Sequence, residues 1–126
     1  MRVQGGSGTD TLSGGAGADN FGFSHSLGVS GIDRITDFQV GTDTIALEDF
    51  FFTALQDPSV PMSRELDAEA FYIGRSAREA DDHIIYNSAT GALSYDADGN
   101  GEGSAIQFAT LDPKVRGLSH SDFEVF

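Results

Sequence analysis

Glycine and aspartate recur in a fixed order near the start of the chain, and this combination has a chemistry of its own. Residues 5–13 read GGSGTDTLS and residues 14–22 read GGAGADNFG, so G-G-x-G-x-D occurs twice at one interval. Glycine adopts backbone angles that other residues avoid, so each segment can bend tightly with its carbonyl oxygens turned inward. Carbonyl and carboxylate oxygens are the ligands that Ca²⁺ prefers. The pattern therefore predicts turns that bind calcium.

A short extended segment follows each of these turns. Its middle residue, Leu12 or Phe21, is apolar and should point inward by strand alternation. Two such units make one thin coil of turn, strand, turn and strand, in which stacking and metal must supply much of the stability. A flexible Gly/Ser linker is the alternative. A linker, however, has no reason to hold Asp10 and Asp19, or the two apolar residues, at the same interval.

The repeat continues in a degenerate form. GIDRI at 31–35 and GTDTI at 41–45 keep the pattern G-x-D-x-apolar, which adds two acidic corners and the inward residues Ile35 and Ile45. With two units per coil, turns of alternate units share an edge. Asp33 should then lie over Asp10, and Asp43 over Asp19.

Each stacked pair of aspartates would bracket a slot in which a divalent cation cancels the repulsion between carboxylates. Asp37 is close enough along the chain to join the slot between Asp10 and Asp33. The alternative for Asp33, Asp37 and Asp43 is ordinary turn chemistry, because aspartate is favoured in turns without any metal.

On these residues, the segment 5–47 resembles the end of an RTX (repeats-in-toxin) β-roll, built from hemolysin-type calcium-binding repeats. GIDRITDF at 31–38 with GTDTIAL at 41–47 resembles the roll terminator before the tail of serralysin-type C-terminal domains, and residues 48–126 resemble that tail less specifically. The resemblance implies an all-β fold, a short parallel β-roll continued or capped by an antiparallel β-sheet with short helical turns. Residues 1–47 would be the roll end and 48–126 the capping region, together one structural domain.

The resemblance also implies a ligand set. In that family each calcium lies between two turns on one edge, held by backbone oxygens and aspartates. Carried over, the first turn would use Gly6, Gly8 and Asp10, and the second Gly15, Gly17 and Asp19. Four residues would face turns further upstream. These four are Gly5, Ser7, Gly14 and Ala16.

The family context implies a route out of the cell. Residues 1–126 would be the C-terminal piece of a larger extracellular bacterial protein, attached to an upstream domain and exported by a type I secretion apparatus. The ending SHSDFEVF at 119–126 is similar to the uncleaved C-terminal export signal of proteins secreted in this way. The alternative is that it forms a last edge strand with Phe123 and Val125 on one face. Residues 1–20 contain no N-terminal signal peptide. The implied role is calcium-dependent folding after export.

The charge and composition of the chain exclude several kinds of partner. The formal charge is −13, with 20 acidic and 7 basic residues. Nucleic acid is excluded as a partner, because phosphate binding needs basic patches, and anionic membranes are disfavoured. No apolar run is long enough for insertion into a membrane. The absence of cysteine rules out disulfides.

The second half of the chain reads as β-rich. Residues 47–55 suggest one or two helical turns that place Phe51 and Leu55, or Phe52, on one face and cap the roll. Loop residues 56–64 and a polar connection 75–82 separate the strands. The predicted strands are 71–73, a hairpin of 83–86 and 92–95 around a five-residue loop, and 105–109.

The loop 96–102, DADGNGE, opens like an EF-hand loop. A full EF-hand is rejected, because its twelfth position is Gln107 and no helices flank it. A single calcium site formed by Asp96, Asp98 and Asn100 remains open. An acidic β-turn is the preferred explanation.

Catalytic motifs are missing from the sequence. His25, His83 and His120 are scattered, and neither HExxH nor GxSxG occurs. The chain is therefore expected to be non-catalytic. Two alternatives stay open. One is an extracellular adhesion or carbohydrate-binding module, and the other is a fragment of a secreted hydrolase (metalloprotease, glycanase or lipase) whose active site lies upstream.

Overall fold

Short β-strands dominate the part of the chain that the structure describes. The computed structural model describes residues 2–3 (backbone only), 10–23, 32–55, 64–99, 105–112 and 115–126. In these ranges the helices are three 3₁₀ turns, at Thr53–Leu55, Ala68–Ala70 and His120–Asp122. The all-β class is confirmed. The strands are β1 (Arg2–Val3), β2 (Thr11–Leu12), β3 (Asn20–Phe23), β4 (Asp33–Ile35), β5 (Thr44–Leu47), β6 (Arg64–Glu65), β7 (Phe71–Ile73), β8 (Ile84–Asn87), β9 (Ala92–Tyr95), β10 (Ile106–Leu111) and β11 (Phe123–Val125).

Strands β1 to β5 alternate between two sheets. β1, β3 and β5 are neighbours in a five-stranded sheet, and β2 and β4 are neighbours in a six-stranded sheet. All of these pairs are parallel, with Phe21 beside Ile45 and Leu12 beside Ile35. Since the chain changes sheet after every strand, alternate turns come to lie on the same edge of the fold.

The four apolar residues of the repeats line the space between the sheets. Leu12, Phe21, Ile35 and Ile45 are all buried, which confirms that they point inward. The polar residues next to them, such as Arg34, are exposed. This alternation is what a strand with one face on a core requires.

The later strands extend both sheets. β10 pairs in parallel with β4, and β9 and β8 follow in antiparallel order before β7 at the edge. β11 lies between β5, to which it is parallel, and β6, to which it is antiparallel. The two halves therefore share one core, in which the rings of Phe23 and Phe108 meet edge to face at 5.2 Å.

Several local predictions can be compared with these elements. The hairpin of β8 and β9 is confirmed, with a loop of residues 88–91 rather than 87–91, since Asn87 pairs with Ala92. The C-terminal strand, with Phe123 and Val125 buried on one face, is present, but its predicted position at a sheet edge is wrong, because β11 has a partner on each side. Arg64 belongs to β6 and not to the preceding loop, whose residues 56–63 lie outside the described part.

The segment after β5 forms one short helical turn, which agrees with the prediction of one or two. Only Thr53–Leu55 makes a 3₁₀ turn. Phe52 and Leu55 are buried, whereas Phe51 is half-buried and Phe50 is exposed. Among the described residues, no helix has the length and apolar character needed to cross a membrane.

Candidate metal centre

Two edges of the fold collect the predicted ligands. The first edge is where β2 and β4 begin, with Asp10 and Asp33. The second edge holds the turns that lead from β2 to β3 and from β4 to β5, at residues 13–19 and 36–43. The predicted ligands Gly5, Gly6, Ser7 and Gly8 belong to a turn that lies outside the described residues.

Aspartates of successive coils are stacked on both edges. The backbone N–H of Asp10 donates to Oδ1 of Asp33 (2.9 Å), and that of Asp19 donates to Oδ1 of Asp43 (2.9 Å). The carbonyls of Asp10 and Asp19 accept in return from the N–H groups of Arg34 and Thr44, each at 2.8 Å. The predicted stacking of Asp33 over Asp10 and of Asp43 over Asp19 is confirmed.

Asp37 lies on the second edge, which corrects the prediction that it joins Asp10 and Asp33. Its Oδ1 accepts from the N–H of Gly14 (3.0 Å) and its Oδ2 from that of Gly15 (2.7 Å). The physical reason is β4 itself. Because a strand rises about 3.3 Å per residue, the three residues of β4 separate Asp33 and Asp37 to opposite ends of the strand.

The glycines of the turn at 13–19 have the backbone geometry that only glycine tolerates well. Gly15 and Gly17 have φ of 82° and 89°, which confirms the predicted tight bend. A Cβ on Gly14 would lie 2.4 Å from Oδ2 of Asp19, so this carboxylate folds back onto the start of its own turn. Ala16 is exposed between the two left-handed glycines.

The carboxylates differ in how fully their oxygens are used. Both oxygens of Asp43 accept N–H groups, from Asp19 and from Gln39 (2.9 Å), and both oxygens of Asp37 are used in the same way. Oδ2 of Asp10, in contrast, is buried and has no hydrogen-bond partner among the described residues. A buried, unused carboxylate oxygen is a position that fits a cation.

The stacked aspartates occur in pairs rather than in larger side-chain clusters. Within the described ranges, no three His, Cys, Asp or Glu side chains converge on a point that could hold a metal ion. Any hard cation at either edge would therefore have to combine one or two carboxylates with backbone carbonyl oxygens, which is a ligand mixture that Ca²⁺ accepts.

Sequence reasoning missed Asp122 as a member of the second edge. Its Oδ1 accepts from the N–H of Gly41 (2.9 Å), and its Oδ2 accepts from the N–H of Ser119 (3.0 Å). It thereby repeats the arrangement of Asp43, with one N–H from the preceding coil and one from its own turn. The available signal was an aspartate directly before an extended apolar segment, as in Asp19-Asn20-Phe21.

A separate pair of carboxylates lies at the end of β9. Asp96 is buried, and its Oδ1 has no hydrogen-bond partner in the described part of the chain. Asp98 is exposed, and Asn100 lies outside the described residues. Burial, followed by the neighbouring Asp98 carboxyl, raises the pKa of Asp96 above its usual range.

Two histidines make local contacts. Nδ1 of His83 lies 2.7 Å from the carbonyl oxygen of Asp96, and Nδ1 of His120 lies 3.2 Å from a carboxylate oxygen of Glu65. Neither contact includes a nucleophile. His25 lies outside the described residues, and the expectation that the chain is non-catalytic stays a prediction.

Comparison with known proteins gives no family. No protein-family model matches the chain, and no curated protein matches it in sequence. Any function proposed for the chain therefore depends on its own residues and their geometry.

Proposed function

We propose that this chain is a calcium-binding RTX-type module with a short parallel β-roll, whose folding is driven by Ca²⁺. The observation that carries the proposal is the stacking of aspartates from successive coils next to a turn with left-handed glycines. The alternation of β1 to β5 between two sheets, with parallel neighbours, is consistent with a roll.

The ligands would come from both edges. On the first edge, Asp10 and Asp33 would act with carbonyls of the turn at 5–9. On the second edge, Asp19 and Asp43 would act with carbonyls of the turn at 14–17. Asp37 belongs to this second edge, where it holds the N–H groups of Gly14 and Gly15. When bound, the ion supplies the positive charge that these carboxylates lack.

The driving force follows from charge and chain entropy. A segment rich in glycine loses more conformational entropy on folding than other sequences, and this segment has few apolar side chains to offset the loss. With a formal charge of −13, the chain also repels itself in the absence of cations. Binding of Ca²⁺ to the folded state alone stabilises that state by mass action.

The proposed biological role is folding after export. In a cytoplasm with little free calcium the module stays expanded and passes through a type I secretion apparatus. In an extracellular medium rich in calcium it folds and caps the end of a larger protein. The module itself is non-catalytic in this proposal, and any activity belongs to the upstream domain.

Circular dichroism and calorimetry test whether Ca²⁺ drives the folding of the chain. The chain in excess EGTA should show less β-structure, and added Ca²⁺ should restore it. Asp10→Asn should weaken the calcium response, because it removes the charge on the unused buried oxygen. Asp112→Asn is the control, since the side chain of Asp112 is exposed and, among the described residues, pairs with the exposed Arg34. An identical spectrum with and without calcium would contradict the proposal.

Export is tested separately. A reporter joined to the chain should reach the medium only from cells with a type I apparatus. Equal release from cells without one would contradict the secretion role and leave the calcium role standing.

A further inference from the structure

We propose a second cation site, independent of the two roll edges, in the loop that follows β9. Asp96 and Asp98 supply its carboxylates, and the ligand is a divalent cation with the oxygen preference of Ca²⁺. The proposal goes beyond the roll, because no residue of the repeats takes part and the site lies in the second half of the chain.

Asp96, directly after β9, is buried. This residue is only 5% exposed, and its Oδ1 has no hydrogen-bond partner among the described residues. It also makes no salt bridge with any lysine or arginine in the described ranges. A buried carboxylate oxygen without a hydrogen-bond partner is costly, and a cation bound to it would offset that cost.

Asp98 supplies a second carboxylate next to that of Asp96. The side chain of Asp98 lies within hydrogen-bonding reach of that of Asp96, and the two carboxyl groups raise each other's energy when both are charged. A divalent cation bound between the two carboxylates would offset their repulsion. The exposure of Asp98 leaves the pair open to ions from solvent.

The backbone that carries the two carboxylates is packed against a neighbouring turn. Gly99 has φ of 63°, and a Cβ there would lie 2.1 Å from the carbonyl oxygen of Ala80, so the loop is pressed onto the turn at 79–82. That turn is closed by Asp82, which accepts the N–H groups of Arg78 and Glu79. The backbone at Gly99, directly after Asp98, is thus packed against a hydrogen-bonded turn, and such support lowers the entropic cost of binding an ion.

A further contact fixes the start of the loop. The N–H of Asp96 donates to the carbonyl of His83 (2.8 Å), and Nδ1 of His83 lies 2.7 Å from the carbonyl of Asp96. The D-x-D-x-N spacing agrees with a calcium loop. Asn100 lies outside the described residues and is not a proposed ligand.

Terbium luminescence provides a local test, because Tb³⁺ takes the oxygen ligands of Ca²⁺ and is sensitised by a nearby tyrosine. Tyr95 directly precedes Asp96, and residues 1–71 contain no tyrosine. The complete chain titrated with Tb³⁺ should give tyrosine-sensitised emission that excess Ca²⁺ displaces. Tyr95→Phe should lose this emission and keep the same number of bound ions.

Charge-matched variants decide the assignment. Asp98→Asn should lose the emission and bind one calcium fewer by calorimetry, whereas Asp81→Asn, an exposed control on the adjacent turn, should change neither. Asp98→Ser gives a second variant of the same position, and circular dichroism verifies that each variant folds. Emission and ion count that survive both Asp98 variants would overturn the proposal and leave a shared proton between the two carboxyls.

The calcium sites of the roll are tested in the same experiment. Asp33→Asn should lower the total ion count without removing the tyrosine-sensitised emission. If Asp33→Asn leaves the count unchanged while Asp98→Asn lowers it, the proposed function fails and the second site stands.

Discussion

Two segments share the same pair of sheets and are held together differently. In the winding segment, residues 10–47, strands of two to four residues are joined by turns that carboxylates close through backbone N–H groups. The hairpin segment, residues 64–126, also has turns closed by Asp82 and Asp122, and it adds closely packed aromatic rings. Phe108 and Tyr95 both meet Phe52 edge to face at 5.2 Å.

The difference lies in how each segment depends on the solvent. Apolar burial needs no ion, so the hairpin segment, apart from the loop after β9, should be stable over a wide range of calcium concentrations. Stacked carboxylates repel one another unless a cation or a hydrogen bond offsets the charge. The winding segment should therefore respond to calcium first, although it shares its core with the hairpin segment.

The largest expected effect comes from the shared core. Phe108 is fully buried against Phe23 and Phe52. Phe108→Ala should lower the free energy of unfolding in calcium by about 3–5 kcal/mol, through lost burial and a cavity. Urea unfolding measures it. Phe50→Ala is the control, because Phe50 is 71% exposed. Equal costs for the two variants would contradict a core that joins both segments.

A smaller effect is expected from the second edge. Asp43 and Asp122 are both buried, and each accepts one N–H from the preceding coil and one from its own turn. Replacement by asparagine turns one acceptor into a donor that faces an N–H, which should cost about 1–3 kcal/mol at either position.

The two aspartates should differ in calcium affinity. Asp43→Asn removes a proposed ligand charge and should shift the calcium midpoint upward, whereas Asp122→Asn should not. Calorimetric titration measures both shifts. The same midpoint in both variants would limit Asp43 to a structural role.

The smallest effect is expected from two matched glycines. Gly15 and Gly41 both have φ of 82°, and both donate their N–H to an aspartate of the following coil. Alanine at either position should cost about 1–2 kcal/mol of backbone strain. Only Gly15→Ala should also weaken calcium binding, because only Gly15 lies in a turn whose carbonyl oxygens are proposed ligands. A parallel change in calcium binding for Gly41→Ala would remove the distinction.

The periodic part of the fold could be predicted from the sequence. A repeat fixes which residues point inward and which turns share an edge, so the burial of Phe21 and Ile45 and the stacking of Asp19 and Asp43 followed from spacing alone. Asp37 was misplaced because closeness along the chain was taken for closeness in space across a strand.

The remaining features of the fold are long-range contacts that the nearby sequence does not indicate. The parallel pairing of Phe123 with Ile45 joins distant parts of the chain, and nothing in the last eight residues indicates which strand they meet. The close approach of Gly99 to the carbonyl of Ala80, in the turn at 79–82, is likewise a contact that no spacing rule predicts. These contacts are decided by packing rather than by the sequence pattern.

Amide hydrogen exchange in the presence and absence of calcium tests the central claim most directly. The reporters are the N–H groups of Arg34 and Thr44, bonded to the carbonyls of Asp10 and Asp19, compared with the amides of β8 and β9. With free Ca²⁺ at about 100 times its Kd, exchange in the winding segment should be about a hundredfold slower than in EGTA. The hairpin amides should change much less. Equal protection of Arg34 and Thr44 in excess chelator and in calcium would contradict the account.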